Sequence, residues 1–424
     1  MAVAPGTMPG GKGSHFLSIL IASETDLFEP ADVQRKVSYE TPGMNHDNTQ
    51  SPTSPAKSAL PSNSIGDWVK NIRQAVMEGG PGFCQFAINN ACNAGCDFCS
   101  FALDKLPKDD WVFVALPEAK RAIDILARHA VRYLVLTGGE PMLHRDLYAI
   151  IRHAADQKMA VIMVTNGSRL DDENIRALKA AGLSSIVISI DATSTSVHED
   201  NRKLLGVCER VKHANKLLKE LKIQSTASVT MSRLIENYSE LPNFLTELGF
   251  ESVTFSYPLT TLNSSFLGHA ASALVSYTPD ELIEKFEEVK KLKGKFQVVN
   301  PTESLEEMQR FLRKEPQKYE CLGGYKYFYL DWNFLLWRCH NWDTPMCSIF
   351  DFDDSYRVRD GCTKCMIDCY RDASVMQHVA VSVSDSIEQA RKGEWRAAAS
   401  QLFNRQNAGS LKSVFEGLQW IRRI

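Results

Sequence analysis

The stretch "FCQFAINNACNAGCDFCSFA", residues 83–102, is a short apolar run followed at once by three cysteines, Cys92, Cys96 and Cys99. The run predicts a strand over 83–88, and the thiols fall on the loop that leaves it. No fourth cysteine stands close by. Cys84 lies inside the apolar run and Cys208 far downstream, and both read as buried core thiols. Three soft ligands on one short loop predict a metal site with one position left open. Two occupants suit such a loop: zinc completed by a further ligand, or an iron–sulfur cube with one iron free.

Working outward, five more apolar runs follow at 133–138, 160–166, 184–191, 225–231 and 251–257. Amphipathic stretches separate them, among them residues 117–130, 170–182, 207–222 and 238–249. Apolar strands alternating with helices predict a parallel sheet buried on both faces. Right-handed crossovers curl six such units into an α/β fold, a partial (β/α)6 TIM-like barrel. Active sites of these sheets lie at the C-terminal strand ends, where the cysteine loop falls.

The rest of the chain bounds this reading. Its 424 residues, 44% hydrophobic and 23% charged, are those of a globular protein with room for several domains. A net charge of −3 gives no overall basic field and no strong nucleic-acid signal. No apolar run approaches the ~20 residues of a membrane span, and "FLSILIA" (16–22) is too short for a secretion signal. Eleven cysteines without a signal suggest metal ligation in a reducing cytoplasm. Residues 1–65, rich in Pro, Ser, Thr and Asn, predict a disordered tail, and a short helix is expected over 66–79. The expected domains are a barrel at 66–300, a small cysteine-rich domain at 301–378 and terminal helices at 379–424.

Further signals lie at successive strand ends. "TGGEP" ends the second run, with Gly138 and Gly139 free to let a ligand approach and Glu140 offering a carboxylate to a cation. Asn166 ends the third run, and Ser189 and Asp191 end the fourth, ahead of "HEDNRKLLG" with Arg202. Thr230 and Ser232 end the fifth and Tyr257 the sixth. Taken singly, each also reads as strand-end capping or core. Their order after a CxxxCxxC loop, with Phe98 before its last cysteine, resembles the radical S-adenosylmethionine (SAM) superfamily over residues 80–260. The resemblance implies a 4Fe–4S cluster on Cys92, Cys96 and Cys99, with SAM chelated at the open iron. It implies that Phe98, Gly138, Gly139, Glu140, Asn166, Ser189, Asp191, Arg202 and Tyr257 contact SAM. It also implies reductive cleavage of SAM to a 5′-deoxyadenosyl radical, fed by a flavodoxin- or ferredoxin-type electron donor.

The C-terminal cysteines are Cys321, Cys339, Cys347, Cys362, Cys365 and Cys369. The aromatic stretch 322–337 between the first two reads as a β-hairpin. Cysteine, hairpin, cysteine and a later CxxC resemble the auxiliary-cluster extensions called SPASM and twitch. The match implies Cys321, Cys339, Cys362 and Cys365 as ligands of an auxiliary 4Fe–4S cluster. Six cysteines are fewer than a two-cluster extension needs, and "NFLLWRC" lacks the glycine usual there. Cys347 and Cys369 are left over, and structural zinc stays open for the knot.

The expected function is radical modification of an unactivated C–H position in a small-molecule or peptide substrate, with the auxiliary cluster taking up an electron. Two alternatives stand beside it. "CTKCMIDCYRDASVMQH" is similar to the tail of radical SAM adenosyltransferases, which add the adenosyl radical to an alkene. A non-catalytic iron–sulfur or zinc scaffold would keep the barrel without the chemistry.

Overall fold

A computed structural model describes residues 79–421 apart from 269–270, all within the compact unit Ser58–Ile424. The predicted tail and the helix expected over 66–79 lie outside the described residues, except for the helix's last position.

All six predicted strands form: β1 (Gly82–Asn89), β2 (Val131–Gly138), β3 (Ala160–Thr165), β4 (Ser185–Ser189), β5 (Gln224–Thr230) and β6 (Ser252–Ser256). Each pairs in parallel with the next, and the two-residue β7 (Gln297–Val298) extends the row beyond β6. Between them run α1 (Leu116–Arg128), α2 (Leu147–Asp156), α3 (Asp172–Ala181), α4 (Thr195–Arg202), α5 (Val207–Glu220) and α6 (Leu241–Glu247). In α1 the buried positions Ala119, Ala122, Ile123 and Leu126 make one stripe at helical spacing. After β6 comes α7 (Pro279–Leu292), whose start is fixed by a capping box between Thr278 and Glu281 with Pro279 at the first turn.

β3, β4 and β5 depart from the expected burial on both faces, whereas β1 largely keeps it. In β4, Ile186 and Ile188 are sealed in one core with Leu178 of α3 and Leu217 of α5. Each such aliphatic side chain stabilises the fold by about 1.5–3 kcal/mol. The alternate positions Ser185, Val187 and Ser189 are only half-buried, as are Thr226, Ser228 and Thr230 of β5. The second face is thus hydroxyl-rich and not packed shut. Short strands of small β-branched residues hid this, because Val and Thr suit either face.

The C-terminal part is built onto the same sheet. After α8 (Thr302–Leu312), strands β8 (Tyr327–Leu330) and β9 (Leu335–Trp337) form the predicted hairpin. β8 pairs in parallel with β1, so the sheet order is β10-β9-β8-β1-β2-β3-β4-β5-β6-β7, with β10 being Cys347–Ser348. The hairpin expected in a separate domain therefore covers the free edge of β1. The terminal helices are α9 (Asp368–Arg391), α10 (Trp395–Leu402) and α11 (Arg405–Ile421). The first turns of α9 touch the sheet at β1 and β8 and again beyond β6. Asp368 accepts a hydrogen bond from Tyr257 N–H beyond β6 at 3.0 Å, and Tyr370 packs its ring 6.0 Å from Phe83 of β1. Tyr327 of β8 donates to the Ala373 carbonyl at 2.9 Å. No described helix is long and apolar enough to cross a membrane.

Candidate metal centres

Cys92, Cys96 and Cys99 lie on the loop between β1 and α1. Cys92 and Cys96 are buried, and all three thiols lie within electrostatic reach of one another and of Arg202. Burial pushes the Cys92 and Cys99 thiols up to about 12 and raises Cys96 as well. Thiols raised in this way suit a metal that holds them as thiolates. No three described His, Cys, Asp or Glu side chains converge on a single ion. A cube does not require convergence, since each thiolate binds a different iron.

The loop is held by its own surroundings. Gly95 N–H donates to the Arg202 carbonyl at 2.8 Å, and the Lys105 ammonium donates to the carbonyls of Cys96, Asp97 and Cys99. Phe98 is buried within the loop. Asn166 lies beside the cysteines: its amide donates to Asn93 at 2.9 Å and points at Cys92 Sγ from 4.0 Å.

The glycines approach the protein's own backbone closely. A Cβ at Gly138 would lie 2.0 Å from the Asn89 carbonyl oxygen, and one at Gly139 would lie 2.1 Å from that of Ala91. The close approach is therefore to the start of the cysteine loop, stitched by Glu140 N–H to the Ala91 carbonyl at 2.7 Å. Glu140 is fully enclosed, and its carboxylate is already engaged. It accepts from Met142 N–H at 3.0 Å, Thr165 Oγ1 at 2.7 Å and Asn166 N–H at 2.7 Å. Burial raises its pKa, and these three donors oppose the shift. It works here as a clamp between the ends of β2 and β3.

Asp191 and Arg202, read as separate ligand contacts, form a buried ion pair at 2.6 Å. Burial would raise the Asp191 pKa, but the guanidinium and a 2.8 Å hydrogen bond from Asn201 hold the carboxyl below its usual range. The Nε–H of Arg202 has no partner. Ser189 is half-buried at the end of β4, while Ser232 is sealed, its hydroxyl without a hydrogen-bond partner. Tyr257 stands directly beyond β6, at the strand end where it was expected. It stacks on Phe286 and lies in reach of Cys365, in the C-terminal set.

That set draws together four of the six cysteines. Cys321, Cys339, Cys362 and Cys365 lie within electrostatic reach of one another, and a cavity of about 280 Å³ opens on Cys339, Cys362 and Cys365. Cys321 N–H donates to the Cys362 carbonyl at 2.8 Å, and Gly323 N–H points at Cys321 Sγ from 3.4 Å. Burial pushes Cys339 up to about 12 and Cys365 up to about 11, so these thiols too suit a cation. Cys347 stands apart on β10, beside Asp351 and Asp353. Cys369 is half-buried beside Gln85 of β1, within electrostatic reach of Cys339.

Residues 263–267 strap the two sets together, a link with no local sequence signal. Asn263 lines the cavity, and Ser264 N–H donates to the His340 carbonyl at 3.2 Å. Phe266 stacks on His340 at 3.9 Å and meets Phe101 edge-on at 5.7 Å. Ser100 N–H donates to the Leu267 carbonyl at 2.9 Å.

Residues 86–248, from β1 through α6, match the family model of the Radical SAM superfamily. They are a radical SAM domain. The family uses a 4Fe–4S cluster and SAM, which fits the three-thiol loop. The AdoMet-dependent heme synthase of Methanosarcina barkeri is 29% identical over 175 residues, 41% of this chain and 49% of that protein. The PqqA peptide cyclase of Rhodopseudomonas palustris is 26% identical over 164 residues, 37% of this chain and 41% of that one. This chain thus spans less than half the length of these relatives. Among solved structures, Streptococcus suis SuiB bound to S-adenosylmethionine has 14% identity and a TM-score of 0.49, over 72% of each chain. The C-terminal cysteine set lies beyond the residues that the family model matches and is read from its own geometry.

A buried acid pair adjoins this region. Burial and the neighbouring Asp368 charge push Asp372 up to about 7, against donors from Ser304 and from Asn300 at 2.6 Å. Burial pushes Asp368 up to about 6. Acids with raised folded pKa values keep protons that the unfolded chain releases. Their contribution is whole below the unfolded value of 3.8 and is lost as pH climbs through about 7. The urea midpoint of the anaerobically reconstituted protein is expected to fall between pH about 5 and about 8, and Asp372→Asn to flatten that fall. An unchanged slope in the variant would contradict the assignment.

Proposed function

We propose that the chain is an enzyme that cleaves SAM reductively and modifies an unactivated C–H position of a small molecule or peptide. One observation carries this reading: three mutually close thiols within reach of Arg202, two of them buried, at a strand-end loop of the radical SAM domain, with no further described cysteine among the charges that act on them. When bound, a 4Fe–4S cluster with SAM supplies one electron to the sulfonium and yields methionine and a 5′-deoxyadenosyl radical. Cys92, Cys96 and Cys99 hold the cluster. The unpartnered Nε–H of Arg202 would be free to donate to the carboxylate of bound SAM, and Asp191 keeps that guanidinium in place. Gly138, Gly139 and Glu140 set the backbone around the methionine end, with Phe98, Asn166 and Ser189 bordering it.

Cys321, Cys339, Cys362 and Cys365 hold one auxiliary 4Fe–4S cluster, next to which Tyr257 closes the end of β6. The hydroxyl-rich face of β4 and β5 supports a polar substrate. A low-potential flavodoxin- or ferredoxin-type protein supplies the electron in a reducing cytoplasm.

The test is anaerobic reconstitution followed by iron and sulfide analysis and incubation with SAM and dithionite. About eight irons per chain and dithionite-dependent 5′-deoxyadenosine are expected. About four irons with zinc retained would make the C-terminal set a structural knot. No 5′-deoxyadenosine at any iron content would sink the reading.

A further inference from the structure

Two arginines are sealed beside the C-terminal cysteines, Arg338 at 2% exposure and Arg371 at 1%. Their charges are handled differently. Arg338 forms a two-pronged pair with Asp360 and lies over the Trp342 ring at 4.5 Å. Arg371 uses only Nη2, donating to the Tyr319 carbonyl at 2.9 Å and to Glu307 at a longer 3.3 Å. The same Glu307 oxygen also accepts from Lys318 N–H at 2.9 Å. The Nε–H and Nη1–H of Arg371 have no hydrogen-bond partner, and the side chain lies within electrostatic reach of Cys321 and Cys365.

A buried guanidinium with two idle donors is costly unless an anion meets it. Glu307 is also a shared counter-charge, its other carboxylate oxygen lying 3.6 Å from Arg310. The anion the surroundings offer is the cysteine quartet with its cluster, a net dianion that becomes a trianion on reduction. We propose that Arg371 holds up the reduction potential of the auxiliary cluster, its Nε–H and Nη1–H donating to the cluster sulfurs on the Cys321 and Cys365 side. The inference rests on the auxiliary-cluster reading above. Reduction adds one electron and breaks no bond, and no proton moves. A fixed positive charge stabilises the trianion more than the dianion, and net charge and hydrogen bonds to sulfur set such potentials. Arg338 has less effect, because Asp360 cancels its charge.

The experiment uses the full chain with Cys92, Cys96 and Cys99 replaced by alanine, so that only the auxiliary cluster remains. Iron is counted first, then the cluster is titrated with dithionite and mediators under EPR detection. About four irons are expected in this parent. Adding Arg371→Gln is expected to lower the reduction equilibrium by about tenfold, 59 mV for a one-electron couple. Arg338→Gln is expected to lower it less. A cluster present at full iron whose potential is unmoved by Arg371→Gln, or moved no more than by Arg338→Gln, overturns the proposal. Absence of iron in the parent overturns the auxiliary-cluster reading and this proposal with it. Where Arg371→Gln does not fold, Arg371→Lys decides. It keeps the charge and loses the fork, so a potential below the parent's supports the hydrogen bonds and an identical one removes them.

Discussion

Gly139→Ala is expected to dismantle the three-thiol loop. The new Cβ would lie 2.1 Å from the carbonyl oxygen of Ala91 and 2.4 Å from its carbon. Both atoms are backbone, so no side-chain rotation relieves the overlap. Moving Ala91 stretches the 2.7 Å bond from Glu140 N–H and displaces Cys92, the next residue. Overpacking of this kind costs about 3 kcal/mol at the upper end of its usual range. Cluster loading at Cys92, Cys96 and Cys99 should fall with it, because a ligand shifted by about 1 Å no longer meets its iron. The check is iron per chain and 5′-deoxyadenosine formation, measured beside the urea midpoint. A variant with full iron and wild-type 5′-deoxyadenosine would show that the glycine is incidental.

Asp191→Ala is expected to have the other large effect. It removes the carboxylate that meets Arg202 at 2.6 Å and leaves a buried guanidinium whose Nε–H already lacks a partner. Breaking one side of a buried pair costs about 3–5 kcal/mol. The damage reaches the cysteines through the Arg202 carbonyl, which anchors Gly95 N–H at 2.8 Å. Asp191→Asn keeps a hydrogen-bond acceptor without the charge and should fall between wild type and alanine. Equal urea midpoints for all three proteins would contradict the ion pair's role.

Much of the fold was legible in the sequence because it depends on local pattern. The apolar runs placed six parallel strands, and the hairpin formed where aromatic alternation predicted it. The partner of that hairpin was not legible. Pairing of β8 with β1 depends on register across the whole barrel, which no local window contains. The same limit applies inside the candidate site. Glu140, Asp191 and Arg202 were identifiable as polar groups at strand ends, but their partners were not. Thr165 holds Glu140 from the next strand, and Asn201 reads as an ordinary helix residue although it braces Asp191. Gly138 and Gly139 were legible as positions of close approach, but the backbone they meet was not. Arg371 gave no signal, since an arginine beside "CTKC" reads as surface charge until its burial is seen.

The pairing of β8 with β1 also sets an order of events at the ribosome. β1 is the first described strand to be made, yet one of its edges has no partner until the ribosome has passed residue 330. At roughly 5–20 residues per second, that edge stays open for tens of seconds. An exposed strand edge in a nascent chain invites pairing with other chains. Throughout this interval the cysteine loop hangs from an unfinished strand, and the helix that closes the sheet, α9, is made later still. The strand that carries Cys92, Cys96 and Cys99 therefore gains its second neighbour only once β8 has been made.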